Sequence, residues 1–274
     1  MKNILYPTDF SENSLQALPY ALDVALLLGA NLTLFNAYSL PYSKSNLLVS
    51  MTERMKKDAE NDLKKLADDA LAKERYRNMT INCIARSGAL VSQIPLVVKD
   101  LKIDMVVMGT KGASGLKEIF IGSNTLEVIH LTHCPVLAIP EEAQNTKVNK
   151  IAMATDLKKV SENDQLKPLF EMAKICRASI EFVHIIRPKE KANSEERAAQ
   201  LLVLEEMAGE IQTSVHMATN DDIIDGLSNY IDELKPDMLG MLSRKHSLFE
   251  RLFQKSITNK LSFRTKIPLL VLDE

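Results

Sequence analysis

The chain has 274 residues, 46% of them hydrophobic and 26% charged, and at roughly 150 residues per domain this predicts two ordinary globular domains. Its 34 basic and 36 acidic residues leave a formal charge of -2, which argues against binding to nucleic acid or an anionic membrane through bulk charge. The most apolar early stretch, Ala21 to Ala30, carries Asp23 and falls far short of the roughly 20 residues a bilayer span needs. Met1 to Phe10 lacks a signal peptide's apolar core and cleavage site, so a cytoplasmic protein with no membrane partner is expected. Cys83, Cys134 and Cys176 fit neither a disulfide framework nor paired metal ligands, and are expected to be reduced core residues.

In chain order, Ile4 to Pro7 reads as a first strand. Leu15, Leu18, Leu22, Ala25 and Leu26 then fall on one helical stripe, with Gly29 as its stop. Leu32 to Ala37 is a second strand, and Met51 to Glu74 is an amphipathic surface helix. Thr80 to Ala85 is a third strand. Ser87-Gly88 precedes a helix ending at Leu101-Lys102, after which Met105 to Met108 and Val136 to Ile139 complete five strands. Beyond a short polar linker, Glu141 to Val148, the order recurs with Ile151 to Ala154, Ser179 to His184, Ser214 to Ala218, Met238 to Met241 and Leu269 to Leu272. Strands alternating with helices predict βαβ units and a parallel sheet in each half, hence α/β domains over residues 1–142 and 148–274.

The recurrence extends to residue identity. Asp104 to Ile139 aligns without a gap on Asp237 to Leu272, with ten identities, among them Asp104/Asp237, Ser123/Ser256 and Thr125/Thr258. Thr8-Asp9 likewise corresponds to Thr155-Asp156, and the first half is the longer by fourteen residues between these anchors, most of it expected after Tyr38.

Glycine use separates the halves. Gly109, Gly112, Gly115 and Gly122 follow the fourth strand of the first half only, in the spacing Gly109-x2-Gly112-x9-Gly122-Ser123. Glycines after a buried strand can take positive φ and bring backbone N–H groups up to an anion. Ser123, Asn124 and Thr125 stand where a helix should begin, and a helix start offers unpaired N–H groups with a favourable dipole. In a doubly wound sheet, Asp9 after strand one and Gly109 after strand four would meet at the switch point. Neither GxxxxGK[ST] nor a GxGxxG after the first strand is present, which disfavours a P-loop ATPase.

Ile4-Leu5-Tyr6-Pro7-Thr8-Asp9-Phe10-Ser11, Met108-Gly109-Thr110-Lys111-Gly112, Ile121-Gly122-Ser123 and His133-Cys134-Pro135-Val136-Leu137 resemble the universal stress protein family in its tandem form, over nearly the whole chain. That resemblance implies two Rossmann-like, doubly wound domains of five parallel strands in the order 3-2-1-4-5. It also implies an ATP site with Mg2+, for which ADP or AMP stay open. On this resemblance, Asp9 and the backbone near Ala37 hold adenine and ribose, with Pro7, Thr8 and Met108 lining the pocket. Gly109, Gly112, Gly122 and Ser123 hold the phosphates, with Lys111 and Asn124 nearby. The family's habit of dimerising through its last strand implies an intramolecular pseudo-dimer, and leaves a further homodimer open.

In the second half Leu242, Lys245 and Lys255 replace the three glycines, although Asp156 and Ser256 remain. The added Cβ atoms predict a degenerate domain with a structural or partner-binding role. Arg244, Lys245, His246, Arg251 and Lys255 are better read as a solvated face than as an anion patch. His130 and His133 lack the further ligands of a metal site, and His184 is expected as a satisfied core or rim histidine. Asp9 is open to two readings, a strand-end cap or a ligand contact. With no Ser/His/Asp set and no second carboxylate beside the glycines, the expected function is that of an ATP-binding stress regulator with an unknown protein partner. An adaptor with a vestigial site and a slow ATPase are the alternatives.

Overall fold

A computed structural model of the chain describes residues 1–39, 47–110, 121–143, 146–157, 165–188, 194–243 and 266–273, the side chains of 47–50 aside. The chain divides into two compact units, the first of Met1–Gly115 and Gly122–Glu141 and the second of Leu116–Ile121 and Glu142–Glu274. Each is an α/β unit built on a parallel sheet.

The first unit comprises β1 (Asn3–Pro7), α1 (Glu12–Leu28), β2 (Asn31–Tyr38), α2 (Leu47–Leu71), β3 (Ile81–Ser87), α3 (Leu90–Leu101), β4 (Met105–Gly109), α4 (Ser123–Leu131) and β5 (Val136–Ile139). β1 pairs in parallel with β2 and β4, β2 with β3, and β4 with β5, giving the order 3-2-1-4-5. The second unit repeats it with β6 (Lys150–Ala154), α5 (Lys167–Cys176), β7 (Ser179–Ile186), α6 (Ser194–Ala208), β8 (Thr213–Thr219), α7 (Ile223–Leu234), β9 (Met238–Ser243) and β10 (Leu269–Asp273). Here β6 pairs with β7 and β9, β7 with β8, and β9 with β10, again in parallel. The central strands are buried along nearly their whole length because helices cover both faces, which is why they read as continuous apolar runs.

The repeated Asp104/Asp237 identity has a structural cause. Asp104 Oδ2 accepts from the backbone N–H of Lys2 at 2.5 Å and of Asn3 at 2.9 Å, and Asp237 Oδ2 from Asn149 at 2.7 Å and Lys150 at 3.0 Å. Each carboxylate therefore pins the start of the central strand to the strand that enters beside it.

Gly29 ends α1 in the left-handed conformation, φ 59, and its counterpart Arg177 ends α5 at φ 54. The predicted stripe of α1 is displaced. Leu18, Leu22 and Ala25 are buried together with Ala17 and Ala21, but Leu15 and Leu26 are 39% and 37% exposed. Small residues let the helix lie close on the sheet, so its contact line follows the alanines. Cys134 is buried and Cys176 half-buried, but Cys83 is exposed, contrary to the expected core position, because β3 is the outer strand of its pairing.

The extra length of the first half lies beyond Tyr38, in α2 and in the link to β3. α2 has 25 residues against 15 for α6. The predicted helix over residues 51–74 instead ends at Leu71, and Glu74–Tyr76 forms a 3-10 turn. Tyr76 Oη donates to Asp23 Oδ1 at 2.6 Å, and Arg75 Nη2 lies 2.8 Å from the same oxygen. Asp23, 4% exposed on α1, is thus a buried anchor. Burial, then the hydrogen bond and the negative charge of Asp23, push the Tyr76 phenol up to about 12, so it stays a donor.

The second unit buries a different polar group. Glu181 on β7 accepts from Tyr230 Oη at 2.5 Å and lies 2.8 Å from Lys150 Nζ, while the ring of Tyr230 packs edge-on against His216 at 4.9 Å. Burial alone would raise the Glu181 carboxyl; the bonds from Lys150 and Tyr230, helped by the nearby positive charge, outweigh it and hold it below its ordinary 4.5. Burial and Glu181 together raise Tyr230. A depressed folded-state value means that Glu181 contributes its stability above about 4.5 and loses it as pH falls through the lower folded value. Glu181→Gln should therefore lower stability by about 1–3 kcal/mol near neutral pH. Urea melts of both proteins should show that gap narrowing below about pH 4.5; a gap independent of pH would contradict the assignment.

Candidate functional site

The carboxyl ends of β1 and β4 lie side by side, since Ile4 pairs with Met105 and Leu5 with Val106. The chain leaves β1 toward β2 and leaves β4 toward β5, on opposite sides, so nothing from either connection need cover the junction.

At the β1 side a turn stabilises itself. Thr8 Oγ1 accepts from Phe10 N at 3.0 Å, and Asp9 Oδ1 accepts from Ser11 N at 3.0 Å and from Ser11 Oγ at 2.6 Å. Ser11 in turn caps α1 by accepting from Ser14 N at 3.3 Å. Phe10 is held at φ 60, in the left-handed region that a bulky residue rarely occupies. Below it, burial, reinforced by the charge of Asp9, pushes the Tyr6 phenol far above its ordinary range, and its hydroxyl donates to the Ser14 carbonyl. Asn36 Nδ2 donates to Thr8 O at 2.8 Å, fixing the end of β1 to β2, where Ala37 is half-buried one residue further on. Pro7, Thr8 and Met108 are buried, and Asp9 is exposed.

At the β4 side, Gly109 ends the strand. Thr125 Oγ1 donates to Gly109 O at 3.1 Å, and Gly122 N donates to Thr110 O at 2.6 Å. These two bonds tie the start of α4 to the end of β4. Gly122 is the N-cap of α4, and no side chain among the described residues caps this end. The first-turn N–H groups therefore point outward beside the exposed Ser123 and Asn124 without an intrahelical acceptor. Gly122 has φ -61 and ψ 154, and Gly109 is not among the residues of positive φ. The expected left-handed backbone is absent at both. Lys111, Gly112 and Gly115 lie outside the described residues.

In the second unit the β-strand end is kept. Thr155 Oγ1 accepts from Leu157 N at 3.0 Å, Leu157 sits at φ 51, and His184 Nδ1 is 2.9 Å from Thr155 O, in the place of Asn36. His184 is 3% exposed, and its Nε2 finds no partner among the described residues, so it is buried as expected but satisfied on one side only. Leu242 lies in β9 where Gly109 closes β4, and Arg244, Lys245, His246, Arg251, Lys255 and Ser256 fall outside the described residues. His130 and His133 are exposed, and no group of three or more His, Cys, Asp or Glu side chains placed to hold a metal occurs among the described residues. Asn36 and Thr125 were not singled out as positioning residues. Thr125 is repeated as Thr258 and could have been; Asn36 aligns with a histidine and left no such signal.

The pattern of the universal stress protein family matches residues 1–140 and again 147–273. The chain belongs to that family. Universal stress protein MJ0531 of Methanocaldococcus jannaschii is 32% identical over 144 residues, 50% of this chain and 81% of that protein. Universal stress protein MJ0577 of the same organism is 29% identical over 154 residues, 50% of this chain and 94% of its own length. The structure of a universal stress protein from Archaeoglobus fulgidus superposes over 99% of this chain and 98% of that one, with a TM-score of 0.76 at 21% identity, a likeness of fold. These single-length relatives each match half of the chain, as expected of a universal stress protein written in tandem.

In this member of the family Asp9 accepts from both the backbone N–H and the hydroxyl of Ser11, which gives it a turn-forming duty independent of any ligand. Asp9→Ala should destabilise the ligand-free protein by about 0.5–1.5 kcal/mol, read by thermal melting. No change in the melt would leave Asp9 without that duty.

Proposed function

We propose that the first unit binds an adenine nucleotide, ATP carried with Mg2+, at the junction of β1 and β4, and that the chain works as a nucleotide-dependent regulator in the stress response. The start of α4, tied to the end of β4 and opened by a glycine at its N-cap, carries the reading. Its N–H groups and dipole favour an anion, and Gly122 leaves the backbone accessible beside the end of β4. Gly109, Gly122 and Ser123 would hold the phosphates together with Gly112, with Lys111 and Asn124 beside them. Asp9 and the Ala37 backbone would hold the adenosine against Pro7, Thr8 and Met108. Bound Mg2+ would supply charge neutralisation of the phosphate oxygens.

Asp9, the carboxylate at this junction, is engaged with Ser11, so it serves the turn and orients the ligand more readily than it activates water. Slow turnover would then time a bound state that a partner protein reads. The second unit keeps the turn after its first strand but has Leu242 at the end of β9, so it would contribute surface instead of a second nucleotide site.

The backbone of Gly122 is one that valine adopts without strain, so Gly122→Val tests crowding of the anion separately from folding. Isothermal titration of nucleotide-stripped protein with Mg-ATP should give one site per chain, and Gly122→Val should weaken it by at least about tenfold with its melt little changed. Two equivalent sites would contradict the asymmetry. An absence of binding by folded wild type would favour the adaptor reading.

A further inference from the structure

The two units close the seam between their first two helices differently. In the first, the link from α2 to β3 runs nine residues, Ala72 to Thr80, and folds Tyr76 inward at 6% exposure onto Asp23. In the second, the link from α6 to β8 is four residues, Gly209 to Gln212, with Gly209 at φ 60, and contains no aromatic residue. A cleft of about 940 Å³ remains there, between α5, α6 and the amino ends of β7 and β8. This is the end of the sheet opposite the proposed nucleotide junction, and the inference is independent of that reading.

The equivalence is fixed by the backbone. Gly29 N donates to Leu26 O at 3.2 Å and Ala30 N to Ala25 O at 2.9 Å; Arg177 N donates to Lys174 O at 3.3 Å and Ala178 N to Ala173 O at 2.8 Å. With these turns superposed in sequence, Glu171 stands in the place of Asp23, the acid that receives Tyr76 in the first unit, and Glu171 lines the cleft. Lys167, Lys174 and Arg177 also line it, in the places of Pro19, Leu26 and Gly29, and all three are exposed, facing one further exposed acid, Glu210, on the link. The floor is apolar, with Phe170, Ala173 and Ala178. The second unit therefore has the acid and the apolar seam but no aromatic plug from its own link, and carries three cations at the rim where the first unit has none at the equivalent positions.

We propose that this cleft docks an acidic segment of another protein that inserts a tyrosine side chain. The ring fills the seam as Tyr76 does in the first unit, its hydroxyl donates to Glu171, and flanking carboxylates meet Lys167, Lys174 and Arg177. A carboxylate accepts several donors at once, so Glu171 can receive the hydroxyl whatever else it contacts.

The probe is a fluorescein-labelled hexapeptide, Glu-Asp-Glu-Tyr-Glu-Asp, blocked at both ends and titrated into the full-length protein by anisotropy, with amide shifts mapped by NMR. Saturable binding is expected, with shifts at Ser179, Gly209 and Gln212. A Lys174→Glu, Arg177→Glu double variant, whose changes are confined to exposed side chains, should bind on the order of tenfold more weakly. Replacing the peptide's tyrosine by alanine should cost a comparable factor, and by phenylalanine a smaller one. No saturable binding by wild type, equal affinity for the alanine peptide, or shifts confined to another surface would each overturn the proposal. Tighter binding at the same residues by decanoate than by the peptide would overturn the assigned occupant.

Discussion

Two adjacent parallel strands whose outgoing connections turn to opposite sides leave their carboxyl ends uncovered, and the first unit is organised around that gap. β1 and β4 are the central pair, each buried between helices, so neither can shift without disturbing the core. The backbone groups beyond their ends must then be satisfied locally. The β1 side does this with Thr8, Asp9 and Ser11, at the cost of a left-handed Phe10. The β4 side satisfies carbonyls through Thr125 and Gly122, and no side chain among the described residues caps the amides at the start of α4.

Much of this organisation is written in the chain. Strands buried on both faces, such as β1, β4, β6 and β9, read as short unbroken apolar runs, whereas the half-exposed β3 and β8 are legible from the alternation of strands with helices, and Gly29 marks its helix end because a left-handed cap there carries no Cβ penalty. The repeat exposes Asp104 and Asp237 as a pair, though only the structure shows them clamping strand starts. Features set by close packing or by tertiary partners were less legible. Counting large apolar residues put Leu15 and Leu26 on the buried face of α1, where alanines prevail. Asp23 looked like an obstacle to a membrane span and is in fact the anchor for Tyr76 and Arg75, a role that depends on a segment about fifty residues away folding back onto it. The glycines suggested unusual dihedrals, whereas Gly122 is extended and matters for what its missing side chain leaves open.

The two units show which parts of such a fold are tied together. The turn after the first strand, with its threonine and a left-handed residue two positions on, persists in the second unit although the glycines that follow β4 are not repeated after β9, so the turn does not depend on them. Divergence has worked at both ends of the second sheet. It has placed Leu242 where Gly109 would stand, and it has shortened the α6–β8 link so that the interhelical seam stays open. On the proposed reading, the first unit would serve a small ligand and the second would present its surface to a partner.

Hydrogen–deuterium exchange of stripped protein with and without Mg-ATP addresses that division of labour most directly. The account predicts slowed exchange at Ser123 to Leu126 and at Phe10 and Ser11, with Leu157 and the end of β9 unchanged. Equal protection of both units, or none at the start of α4, would contradict it.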